Sequence, residues 1–166
     1  MLLPVAFLIL QRSLAQTSAV NPLAVLTRYT GAWTMTSPQS LAGAGKDDHV
    51  VNHCLLAEAY YACEQVVNGK PMALIVFTPA GAPGTFHTQT VLPSGYAAGR
   101  GDLTVAGEHW TFLGRAVSDD GKTATWFRTE NTFTGPDHIH FEPFQSNDGT
   151  TWKQTNAGDE QRQTRP

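Results

Sequence analysis

The residues of this chain best suited to chemistry are His138 and His140, one residue apart, with Glu142 two further on. Side chains on a strand alternate between faces, so these three share one side. Two imidazoles and a carboxylate on a common face offer nitrogen and oxygen ligands to a metal. A third nitrogen has to come from another strand, and His87 or His53 are the candidates. The same row also suits a ligand pocket, where a few fixed polar groups stand among aromatic side chains. His109 alternates with Trp110 and Phe112, and His49 follows Asp47 and Asp48, so both read as solvated. Haem needs one inward axial histidine, and no residue is marked for that role.

A hairpin from Trp126 to Phe144 has to position the row, turning at Gly135-Pro136. With the turn centred there, Phe133 faces His138, Asn131 faces His140, Thr129 faces Glu142 and Phe127 faces Phe144. Those eight residues form the expected ligand-binding face. The other face carries Trp126, Arg128, Glu130, Ile139 and Phe141. Arg128 and Glu130 are costly to bury without partners, which turns the histidine face inward. Ile139 and Phe141 pull the opposite way.

Composition limits what such a site can serve. The 166 residues include 41% hydrophobic and 15% charged side chains, with a net charge of −3 and no basic cluster. That leaves no electrostatic footprint for nucleic acid or an anionic membrane. No Gly-x-Ser-x-Gly turn supports a serine nucleophile. Nothing in the sequence names a reaction. Gly and Pro number 15 and 10, scattered between short apolar runs, which suits an all-β chain with many turns.

Leu2 to Leu10 is a continuous apolar run too short to span a bilayer, and Ser13-Leu14-Ala15 presents small residues for cleavage before Gln16. Residues 1–15 therefore read as an export signal, and the mature chain as one without a transmembrane segment. Export to the periplasm or beyond suits the only cysteine pair, Cys54 and Cys63. In a hairpin centred on Glu58-Ala59 the two lie opposite each other, within disulfide reach.

Residues 16–30 hold a short helix opened by Asn21-Pro22. From Gly31 onward come about 8–10 short strands separated by turn signals, of which Asn68-Gly69 is the strongest. Gly99 and Gly101 within one of them mark a bend in the wall. A meander of this length has to curl or close to remove its edges. The expected fold is all-β, an antiparallel up-and-down barrel over residues 31–158, followed by a polar, frayed tail at 159–166. A two-sheet sandwich is the competing architecture.

The short helix followed by Gly31-x-Trp33 resembles the opening of lipocalins and related calycin barrels. The Cys54/Cys63 pair, Asn68-Gly-Lys-Pro71 and Asp137-His-Ile-His-Phe-Glu142 resemble a group of uncharacterised exported bacterial proteins with a calycin-like barrel. The later lipocalin signature, Thr-Asp-Tyr, is absent. The resemblance implies that Trp33 caps the closed end of the barrel against a basic side chain near the C-terminus, for which Arg162 is the candidate. It also implies a small apolar or amphipathic ligand. Two rival readings stand beside it: a metal-dependent barrel enzyme using His138, His140 and Glu142, and a structural envelope protein with no ligand.

Overall fold

The Asn21 side chain accepts a hydrogen bond from the Leu23 backbone N–H at 2.9 Å, and Pro22 takes the first helical position, where no N–H is needed. The segment Pro22–Tyr29 that follows is a 3₁₀ helix whose apolar side buries Leu23 and Leu26. These features belong to a computed structural model that describes residues 20–43, 45–95, 97–118 and 122–163. The export signal expected at residues 1–15 lies outside the described residues.

Eleven strands follow: β1 (Gly31–Thr36), β2 (Asp48–Leu56), β3 (Tyr61–Val67), β4 (Lys70–Pro79), β5 (Thr85–Val91), β6 (Ala97–Ala106), β7 (His109–Val117), β8 (Ala124–Phe133), β9 (His138–Ser146), β10 (Lys153–Gln154) and β11 (Gly158–Arg162). β1 to β9 pair antiparallel in sequence order, and β11 bridges β9 to β1. Ten strands thereby close an up-and-down barrel, and the short β10 extends the sheet along the far end of β9.

Turn chemistry sets the registers. Asn68 and Gly69 both take positive φ, 52° and 76°, as a tight hairpin between β3 and β4 requires. Cys54 pairs directly with Cys63, with Cα atoms 4.1 Å apart, and the two form a disulfide. Such a bond points to an oxidising compartment. By the chain-entropy estimate it contributes about 2–3 kcal/mol for so short a loop. We expect Cys54→Ser/Cys63→Ser to lose that much in urea unfolding; an unchanged midpoint would show the bond adds nothing.

The loop between β1 and β2 is held by Asp48, which is fully buried. Its carboxylate accepts from the Leu41 and Ala42 backbone N–H groups and from Asn68 Nδ2, each at 2.7 Å. Burial alone would raise its pKa, but these bonds outweigh it and hold the carboxyl below the usual range.

One end of the barrel is closed. Trp33, Tyr61, Phe86, Leu103, Trp110 and Ile139 are all buried there, with Leu23 and Leu26 of the helix laid across them. Arg162 stacks over Trp33 with its guanidinium 4.1 Å from the ring centroid. That places residues 159–162 in the barrel wall, correcting the expected frayed tail at 159–166. The inward positions of β11 are Gly158, Glu160 and Arg162, so no apolar alternation announces a strand. Gly158 has no room for a side chain, because a Cβ there would lie 2.4 Å from the Thr36 carbonyl oxygen.

Candidate functional site

The hairpin of β8 and β9 forms, but its register differs from the expected one by a residue. Phe133 pairs with Ile139, Asn131 with Phe141, Thr129 with Pro143 and Phe127 with Gln145. A one-residue shift turns every side chain of β9 to the other face. Phe127, Thr129, Asn131 and Phe133 therefore point inward, whereas His138, His140, Glu142 and Phe144 lie on the outer surface. The physical reason is apolar alternation. Ile139 and Phe141 are 0% and 8% exposed, and seating them in the core outweighs the shorter turn.

The outward residues have ordinary partners. His138 and His140 both approach Asp159 Oδ1, at 3.4 and 3.0 Å, in the open. Glu142 accepts from Gln154 Nε2. Phe144 and Trp152 flank the Arg128 guanidinium, each centroid 4.6 Å from it. His53 and His87 also face outward, on β2 and β5, which are not neighbours of β9. Among the described residues no group of three or more histidine, cysteine, aspartate or glutamate side chains converges to hold a metal. All six histidines sit on the outside of the barrel, so an inward axial imidazole for haem has no residue to supply it.

The interior holds the cavity instead. Its inner chamber, about 310 Å³, lies directly above the aromatic floor and is lined by Tyr29, Asn52, Gln65, Thr129, Asn131 and Glu160, with Ile75, Phe77, Phe112 and Cys63 between them. An outer chamber of about 240 Å³ adjoins it through Ile75, Phe112 and Thr129 and reaches Phe127. The space exists because the inward positions of β6 and β7 carry almost no side chain there. Gly101 pairs with Gly114, and Gly99 and Ala116 continue the small surface. A β-bulge at the start of β6 accompanies Gly99, as the sequence leads one to expect of a bend.

The polar groups of the inner chamber are arranged by their own hydrogen bonds. Asn52 Nδ2 donates to the Tyr29 carbonyl at 3.2 Å, and Gln65 Nε2 donates to Asn52 Oδ1 at 3.5 Å. Asn131 Nδ2 donates to the Tyr29 hydroxyl oxygen. Burial, and then the nearby Glu160 carboxylate, push the Tyr29 hydroxyl far above its usual pKa, so it stays a neutral phenol. Burial also raises Glu160, to about 7.

Thr129 and Asn131 were legible as inward polar groups from the hairpin alternation. Tyr29, Asn52, Gln65 and Glu160 were not, because each belongs to a different segment and only closure of the barrel assembles them.

Fold and site together define a ten-stranded antiparallel barrel, consistent with the calycin-like fold, enclosing a partly polar cavity. Among solved structures the chain is similar to the crystal structure of Rv2717c from M. tuberculosis, with a TM-score of 0.54 and 16% identity, covering 86% of this chain and 98% of that one. At that identity the likeness shows the fold alone. No protein-family model and no curated protein matches the sequence. Among the described residues no helix is long and apolar enough to cross a membrane.

Proposed function

We propose that this chain is an exported binding protein for a small amphipathic molecule held in the barrel cavity. The observation that carries the reading is the unfilled interior, whose glycine-lined wall leaves room above a solid aromatic floor. A few fixed polar groups among aromatic side chains is the usual make-up of a ligand site. The apolar run at residues 2–10 with its cleavage-type sequence, and the Cys54–Cys63 disulfide, support export. The metal-enzyme alternative loses its support once His138, His140 and Glu142 face outward.

Gly114 supplies the test. A Cβ built there meets nothing within 4 Å, so a larger side chain grows into the outer chamber without disturbing the backbone. N-phenyl-1-naphthylamine, a neutral apolar fluorophore, should bind the wild-type protein saturably. Gly114→Phe should weaken that binding by about tenfold or more while the circular dichroism is unchanged. No saturable binding by the wild type, or equal binding by the variant, would sink the reading.

A further inference from the structure

We propose that the inner chamber recognises a protonated amine on its ligand, with the Glu160 carboxylate as counter-ion and Asn131 Oδ1 as a neighbouring acceptor. The proposal rests on the binding-protein reading above and narrows its ligand class. It follows from a count of what the chamber's polar atoms already do. The amide nitrogens of Asn52, Gln65 and Asn131 each spend one N–H within the cluster. Among the described residues two acceptors, one amide oxygen and one carboxylate, stand without a donor. Asn131 is only 6% exposed, and its Oδ1 is buried with no hydrogen-bond partner. Glu160 has neither a hydrogen bond nor an ion pair among the described residues, and no lysine, arginine or histidine lines the chamber with it.

Unmatched acceptors in a desolvated space call for a donor-rich head group. An ammonium has three donors and no acceptor, so it suits a chamber that offers it a carboxylate and an amide oxygen. A carboxylate or phosphate head would meet Glu160 with like charge, and a hydroxyl carries a single donor. Phe77, Phe112 and Tyr29 supply the apolar wall for the remainder of the molecule.

The surroundings of Glu160 leave it little else to do. It is paired with Met35 on β1 and Ile139 on β9, and it shares the chamber with Tyr29 and Asn131. Tyr29 is the titratable group among them, and it stays neutral. His138, His140 and Asp159 lie on the opposite face of the same wall. With burial holding Glu160 near 7, an incoming ammonium displaces the carboxyl proton and takes its place as the neutralising charge.

The experiment is calorimetric titration of the whole protein with hexylamine, hexanol and hexanoate, which share an apolar tail and differ in the head. At pH 8 hexylamine should bind about tenfold or more tightly than hexanol, with hexanoate weakest. Glu160→Gln should bring the amine down to the level of the alcohol. In the wild type, amine affinity should fall by up to about tenfold per pH unit below 7 as Glu160 gains its proton, while hexanol affinity stays level. Hexanol binding as tightly as hexylamine, or an amine preference that survives Glu160→Gln, overturns the amine proposal and leaves the cavity reading standing. If none of the three binds the wild type, both fall.

Discussion

Arg162→Met should lower the unfolding free energy by about 3–4 kcal/mol, among the largest single-residue losses this barrel can show. One guanidinium ties three parts of the molecule together. Its Nη1 donates to the Thr30 carbonyl at 2.6 Å and its Nη2 to the Arg28 carbonyl, both at the end of the 3₁₀ helix. Helix ends leave carbonyls without intrahelical donors, and here one side chain from the last strand answers them. Its Nε pairs with Asp137 at 2.9 Å in the β8–β9 turn, and its plane covers Trp33. Gly31 accommodates it: a Cβ there would come within 3.2 Å of Nη1, at a φ of 118° that other residues rarely adopt. Methionine keeps much of the stem and loses every polar contact, leaving the Arg28 and Thr30 carbonyls without their donor. Lysine retains charge but not the planar fork that reaches several acceptors, so Arg162→Lys should recover only a minor part. In a domain of this size the methionine variant should melt about 6–12 °C lower. Amide exchange in residues 22–29 should rise with it. A shift under about 2 °C would show that the helix does not depend on Arg162 for its place.

That contact also marks what the sequence could disclose. Local chemistry was readable wherever neighbouring residues decide the outcome. Asn21-Pro22 starts the helix, Asn68-Gly69 turns β3 into β4, and Cys54 meets Cys63 because the turn between them is short. Trp33 and Arg162 are far apart in the chain, and family resemblance rather than spacing brought them together. Three features were hidden, for separate physical reasons. β11 does not read as a strand because its inward side chains are polar or absent, and its place is fixed by β9 and β1 on either side. The face of the histidine row is not fixed locally, because a turn between Phe133 and Ile139 tolerates one residue more or less. Burial of Ile139 and Phe141 decides the register, and that is a property of the whole core. The cavity could not be read at all, since it is made by the missing side chains of Gly99, Gly101 and Gly114 meeting across two strands.

Glu160→Gln should make the unliganded protein more stable at pH 8, by about 2–3 kcal/mol, and leave it unchanged at pH 4. The sign follows from the direction of the shift. Burial raises the folded-state pKa from the usual 4.5 to about 7. Below 4.5 the carboxyl is protonated whether the chain is folded or not, and it has no effect on the balance. Between 4.5 and 7 the unfolded chain releases the proton and the folded one keeps it, so stability falls as pH rises. Above 7 both states are ionised and the full penalty of an unpaired carboxylate persists, trimmed somewhat by water in the cavity. Glutamine has nearly the same shape as the protonated acid and does not titrate. Urea unfolding of both proteins from pH 4 to 8 should therefore give curves that coincide at the acid end and diverge through this window. Curves that run parallel throughout would mean that Glu160 carries no such penalty. A carboxylate that costs stability at physiological pH has no structural purpose in the empty barrel. Hexylamine at saturating concentration should bring the wild-type curve back toward that of the variant at pH 8, because ligand bound to the folded state offsets what the unpaired charge removes.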